Sequence, residues 1–262
     1  DGPFANCGQL KKVTLEAGST QIAQFVFAGC NALEQVDLPD TLTKISKGAF
    51  IACTNLESVA LPDTITKIDE GAFTECTKLK NINLPKSLIE LGRYAFGETA
   101  LTNIIIPKSL ETAHTGWEHI GNSTETDGPF INCENLKTIT FETGMTKIPQ
   151  FLFAGCTGLE EIQIPQTVVS IEKGSFIKCI NLKKVIMPDT LCEIGGGAFA
   201  TCTQLERIHV PDSVKLISAW MFSDCSSLTE VNIPAGVKVI ENNAFRNCTS
   251  LKDITIPDAV TK

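Results

Sequence analysis

The chain has 262 residues, 43% hydrophobic and 20% charged, with a formal net charge of -8 and a pI near 5.0. Those proportions are ordinary for a folded globular protein, and the acidic balance argues against nucleic acid as a partner, because its binders cluster Lys and Arg. It also gives no polybasic signal for an anionic membrane, and no apolar run approaches the roughly 18–20 residues that span a bilayer.

The first seven residues, DGPFANC, set a phrase that the rest of the chain repeats. Ten of the eleven cysteines fall in one series, Cys7, Cys30, Cys53 and Cys76, then Cys133, Cys156, Cys179, Cys202, Cys225 and Cys248. Neighbours within each run are 23 residues apart, and a phenylalanine stands three residues before each one. A fixed period in this range marks a solenoid or an array. The unit is F-x-x-C-x-x-L-x-x-[IV]-x-[LI]-P-x-x-[LVI]-x-x-I-x-x-x-A, as in FIACTNLESVALPDTITKIDEGA at 50–72. Eleven copies begin at Phe4, Phe27, Phe50, Phe73, Phe96, Phe130, Phe153, Phe176, Phe199, Phe222 and Phe245.

Each part of the unit carries a structural expectation. In LESVALP the apolar positions alternate, Val59 inward and Ala60 outward, which is the period of a strand. The proline that follows has no N–H for a ladder and stops the strand. DTITKI reads as a turn and a second short extended piece. EGAFTEC suits one helical or 3-10 turn with Ala and Phe inward. One 23-residue coil cannot bury its apolar face, whereas stacked copies can.

That stacking decides the reading of the cysteines. Every coil offers one thiol in the same slot, so the expectation is a buried column of free thiols, each a small hydrophobe with a weak donor. Disulfide and zinc readings fare worse, because there is no C-x-x-C pair and metal sites need tight local spacing. Thr99 fills the slot in the fifth copy. Cys192 stands outside the series and aligns with Thr43 and Thr66. It reads as a tolerated exposed thiol, with a redox or crosslinking role as the other possibility.

A longer period overlies the short one. Residues 1–30 and 127–156 share 19 of 30 identities at an offset of 126. The slot before the recurrent Ala reads Phe25, Gly48, Gly71, Tyr94 and then Phe151, Gly174, Gly197, Trp220, again 126 apart. The expected organisation is a single solenoid over 1–262, made of duplicated blocks 1–126 and 127–252, with an insertion at about 111–127. The glycines are expected to supply a special backbone conformation or a close approach. The aromatics are expected to pack over neighbouring coils, with a ligand-contacting stripe as the alternative. DGPF at 127 ends the insertion and starts a fresh coil. DGPF at 1 is therefore expected to mark a seam in a longer array, with any targeting signal or anchor outside the segment.

Signatures of catalysis are missing: no G-x-S-x-G, P-loop, G-x-G-x-x-G or H-E-x-x-H occurs. No catalytic or cofactor residue is assigned, and no cofactor or metal is expected. His114 and His119 flank Trp117 in the insertion, with Glu111 and Glu118 the nearest further ligand candidates, and a polar loop is the favoured reading. Two N-x-[ST] sequons occur, at Asn122 and Asn247, and Asn122 is the candidate for glycosylation in a secretory setting.

With L-x-x-[IV]-x-[LI]-P followed by x-A-F-x-x-C, the unit resembles the BspA-like class of leucine-rich repeats over essentially the whole chain. Glu16 and Glu142 depart from it, standing where the proline belongs. The resemblance implies an α/β repeat solenoid. This would be a curved, right-handed leucine-rich-repeat superhelix with a parallel β-sheet on one face, built of short strands, turns and short helical or 3-10 segments. It also implies a non-enzymatic cell-surface or secreted protein of recognition or adhesion, with a protein or cell-surface glycan as ligand. It makes the outward strand positions, from Lys12 and Thr14 to Asp253 and Thr255, the exposed sheet face. The richest stretch of that face is Lys184, Ile186, Arg207, His209, Glu230 and Asn232, the expected binding patch. The alternatives are a cytoplasmic protein–protein scaffold, which a reducing compartment with many unpaired thiols would suit, and a carbohydrate-binding or spacer array of the cell envelope.

Overall fold

The computed structural model describes residues 2–113 and 127–261. Each of the first ten copies gives two very short strands, and copies stack with strands parallel and in register. The first strand of one coil pairs with that of the next at an interval of one repeat, as in Val13 with Val36, Ser58 with Asn81, Glu161 with Lys184 and Arg207 with Glu230. Across the insertion the register holds, with Asn103–Ile106 beside Thr138–Phe141 and Ile104 opposite Ile139. The second strands build their longest ladder from Gln21–Ile22, Lys44–Ile45, Lys67–Ile68, Glu90–Leu91 and Thr112–Ala113, a five-stranded parallel sheet. Between the two strands the proline carbonyl accepts the N–H three residues on, for example Leu42 to Pro39 at 3.0 Å and Val168 to Pro165 at 3.0 Å. The residue that stops the first strand thus also makes the turn into the second.

The Phe-bearing side of each coil contains no helix among the described residues. This corrects the expectation of short helical or 3-10 segments. The backbone there alternates its partners. Gly48, Phe50 and Ala52 donate to Glu70, Ala72 and Thr74 of the next coil at 2.8–2.9 Å, while Ala49, Ile51 and Cys53 donate back to the third residue before them. Two residues per coil also take positive φ, here Gly48 at 59° and Ala52 at 57°. Left-handed residues at that spacing break any run of helical dihedrals, and the inter-coil bonds replace the intrahelical ones.

The interior consists of columns of identical side chains. The phenylalanines form one continuous stack from Phe4 to Phe245, with adjacent ring centroids 5.2–6.1 Å apart and near-parallel planes. From Phe50 to Phe222 these rings are fully buried. Each such burial is worth about 1.5–3 kcal/mol relative to exposure.

Beside the rings runs the thiol column. All eleven cysteines are free, and Cys30 through Cys225 of the series are buried. Cys7 is exposed and Cys248 half-buried, in the first and last coils. Cys30, Cys53, Cys76, Cys133, Cys179, Cys202, Cys225 and Cys248 each have a specific acceptor, a phenylalanine carbonyl, rather than only an apolar surrounding. Cys53 Sγ donates to the carbonyl of Phe27 at 3.2 Å, Cys179 to Phe153 at 3.1 Å and Cys225 to Phe199 at 3.1 Å. Thr99 keeps the slot polar and bonded, donating to the Phe96 carbonyl at 2.8 Å, which also accepts from Cys133 at 3.0 Å. Burial pushes the thiols up from 9.0, Cys53 to about 12 and Cys133 to about 11. They stay neutral donors at physiological pH.

Candidate binding face

The first strands turn every second side chain outward, and strand pairing sets those side chains in two columns along the stack. At the expected patch, Lys184–Ile186 presents Lys184 and Ile186, Arg207–Ile208 presents Arg207, and Glu230–Val231 presents Glu230, all exposed. His209 follows, also exposed. The charges are cross-linked between coils. Lys184 Nζ lies 2.6 Å from Glu161 Oε1, and Arg207 reaches Glu230 Oε2 at 3.6 Å. Asn232 serves the backbone: its amide donates to the Val210 carbonyl and accepts the Val210 N–H, both at 2.8 Å. Of the six expected residues, then, Ile186 and His209 are uncommitted to a side-chain partner among the described residues, and the others also tie coil to coil. These exposed pairs add little stability, about 0–1 kcal/mol each.

The same cross-coil pairing recurs along this face and its border. Glu160 is held between Lys137 and Lys183, the latter at 3.0 Å, and these hydrogen bonds lower its carboxyl to about 2. Lys12 lies 2.9 Å from Asp37 and is the main reason that the Asp37 carboxyl sits below its ordinary value. The periodic signal placed such residues one strand apart, but their mutual pairing needed the register.

The second strands Ser170–Ile171, Glu193–Ile194 and Leu216–Ile217 line a groove of about 560 Å³. Its wall includes Glu172, Cys192, Glu193 and Lys215. Cys192 Sγ donates to the Val169 carbonyl at 3.3 Å, as Thr43 Oγ1 donates to Thr20 at 3.0 Å and Thr66 Oγ1 to Thr43 at 3.4 Å. The exposed cysteine is a substitute threonine in a ladder of donors.

The aromatic slot also resolves. Phe25, Tyr94, Phe151 and Trp220 all have positive φ, 54–61°, as do the glycines aligned with them. The Phe25 ring lies where a Cβ on Gly48 would stand, at 2.3 Å, and Phe151 does the same to Gly174. Those two aromatics pack over the next coil, as expected. Trp220 also meets the next coil, at Arg246, whose guanidinium carbon is 5.4 Å from a Trp220 ring centroid. Tyr94 takes part in a cluster that sequence reasoning missed. Its hydroxyl donates to buried Asp127 at 2.5 Å, with Arg93 at 3.6 Å and Lys178 at 3.7 Å from the same carboxylate. Burial, and then the bond to Asp127, raise the Tyr94 hydroxyl above its usual value. The signal was the repeated DGPF itself, whose Asp fastens the coil after the insertion to coils on both sides. His114, Trp117, Glu118, His119 and the sequon at Asn122 lie outside the described residues. Among the described residues no group of three or more His, Cys, Asp or Glu could hold a metal, and no helix is long and apolar enough to cross a membrane.

Known proteins place this architecture. A profile of the BspA type leucine-rich repeat region, in six copies, matches residues 1–116 and 170–262. A leucine-rich repeat protein from Bacteroides ovatus is similar in fold, with a TM-score of 0.56 and 23% identity over 96% of this chain and 82% of that one. A leucine-rich cell surface protein from Faecalibacterium prausnitzii is 27% identical over 96% of this chain and 74% of its own, with a TM-score of 0.53. No curated protein sequence matches the chain. The 23-residue period, the stacked rings and thiols, and a profile that covers most of the sequence agree: the chain belongs to the BspA-type leucine-rich repeat family.

Proposed function

We propose that the protein is a non-enzymatic recognition or adhesion protein of the cell surface, binding a surface molecule through the outward columns of its first strands. The observation that carries this reading is the regular display of side chains on a rigid parallel stack whose backbone bonds are already used within the fold. The patch at Lys184, Ile186, Arg207, His209, Glu230 and Asn232 is the proposed centre of contact, because charge, an aliphatic side chain and an imidazole meet there. The description of the Faecalibacterium neighbour as a cell surface protein supports the location. Abundant thiols do not favour a reducing compartment in this fold, because the column keeps them buried and each bonded one faces a carbonyl rather than another sulfur.

The test is saturable binding of the purified chain to intact cells and to immobilised matrix proteins. The reading predicts that Lys184→Glu combined with Arg207→Glu weakens binding about tenfold or more. Absence of saturable binding, or binding indifferent to both reversals, contradicts it.

A further inference from the structure

The outward columns are not uniform. On one side of the molecule they carry Lys12 paired with Asp37, and on the other Glu161 with Lys184 and Arg207 with Glu230. Between these lie four successive coils, from Ser58 to Thr140, whose eight outward strand positions bear no charge. All eight are exposed. Charges border this band at the strand starts, at Glu57, Lys80 and Lys137, but do not enter it. In a chain of net charge -8 with a fifth of its residues charged, such a gap is a distinct surface.

The polar side chains of the band are also largely unengaged by the fold. Among the described residues, Asn81, Asn83, Thr138 and Thr140 have no side-chain hydrogen bond within the chain, and Asn103 has one weak neighbour contact, to Thr102 at 3.2 Å. Their amides and hydroxyls each can both donate and accept. In the middle stands Ile105, 53% exposed. The backbone beneath is used in coil-to-coil pairing, so a peptide cannot add as a strand here and recognition falls to side chains alone. A charged partner finds no countercharge, and an apolar partner finds little beyond Ile105.

We infer that this neutral band binds a linear, uncharged glycan. A glycan chain presents what the band complements: hydroxyls that donate and accept in turn, and C–H faces that pack on an isolated aliphatic side chain. The columns advance by one strand spacing, about 4.8 Å per coil, close to the advance of an extended glycan by one ring. The band thus offers one amide or hydroxyl pair to each successive sugar. This inference rests on the sheet-face reading and names its ligand class, and it moves the glycan contact away from the Lys184–Asn232 patch.

Affinity electrophoresis of the 262-residue chain through gels containing mannan, a linear β-1,3-glucan or hydroxyethyl cellulose tests it, with heparin as the charged comparison. Retardation is expected in at least one neutral gel and should persist at high salt. Asn81→Asp with Asn83→Asp, which keep side-chain size and bring charge into the band, should weaken that binding about tenfold or more, while Lys252→Glu, at an exposed position outside the band, leaves it unchanged. No retardation by the neutral polymers, retardation by heparin alone, or binding that survives the Asn81 and Asn83 changes overturns the inference. If the neutral gels fail while cell binding still depends on Lys184 and Arg207, the glycan inference falls and the sheet-face reading stands. If both fail, both fall.

Discussion

At the scale of single residues, the molecule repeats a few side chains whose surroundings are nearly identical from coil to coil. Phe176 is fully buried between Phe153 and Phe199, with ring centroids at 5.3 and 5.4 Å. Phe176→Ala removes a ring from the middle of a stack that cannot collapse without shortening its neighbours' contacts. It should lower unfolding free energy by about 3–5 kcal/mol, read from urea denaturation. The thiols give a second prediction. In the native state a small thiol reagent should label Cys7 and Cys192 quickly, while Cys30 through Cys225 of the column stay protected. In denaturant without reductant all eleven should react, and a count lower by two or more would reveal disulfides that the column excludes. The raised thiol values also fix a sign. Above about pH 9 the unfolded thiols lose protons that the folded ones retain, so stability is fully present below 9 and is lost as pH rises toward the folded values near 11 and 12. The check is a comparison: the alkaline fall in the urea midpoint should be shallower in Cys53→Ala than in the parent chain.

At the scale of the element, the strands were legible and the third side of the coil was not. Period-two alternation around Val59 and the proline after Leu61 specify a strand and its end, and the structure has Ser58–Val59 paired with Asn81–Ile82. The Phe-bearing segment, as in EGAFTEC, reads as one helical or 3-10 turn with Ala and Phe inward. What that pattern hides is a conformation shared by unlike residues: Gly48, Phe25, Tyr94 and Trp220 occupy the same left-handed slot, and Ala52, Glu75 and Lys178 another. Glycine alone announces such a conformation in a sequence. Inter-coil hydrogen bonds hold the other residues there, at a backbone cost of about 1–2 kcal/mol each. Two aligned glycines separate the two roles of that slot. Gly71 and Gly174 have φ of 63° and 60°, but a Cβ would meet only Thr74 Oγ1 at 3.4 Å in the first and the Phe151 ring at 2.3 Å in the second. Both alanine variants should be destabilised by the left-handed backbone cost. Gly174→Ala should lose a further amount of about 1–3 kcal/mol from overpacking. Equal urea midpoints for the two variants would show that the ring over Gly174 is not a close contact in solution.

At the scale of the whole molecule, inward and outward positions have separate duties. Coils touch chiefly their neighbours, so stability is approximately a sum of coil and interface terms, carried by the ring, thiol and aliphatic columns. The outward columns are free to vary, and they do: paired charges toward either end, neutral amides and hydroxyls between. The sequence made the columns readable because period and alternation fix which way each side chain points. The pairing of Lys184 with Glu161 and of Asn232 with the Val210 backbone was not readable, since it depends on register and rotamer. That pairing also dictates the sharpest experiment. Reversing Lys184 alone leaves a new carboxylate facing Glu161, mixing stability with recognition. Exchanging the pair, Lys184→Glu with Glu161→Lys, preserves the ion pair and inverts the charge pattern that a partner meets. The measurement is the dissociation constant of this exchanged chain for intact cells, beside its thermal midpoint. The account predicts a thermal midpoint unchanged and binding weakened about tenfold or more; a stable exchanged chain that binds as the parent does would contradict it.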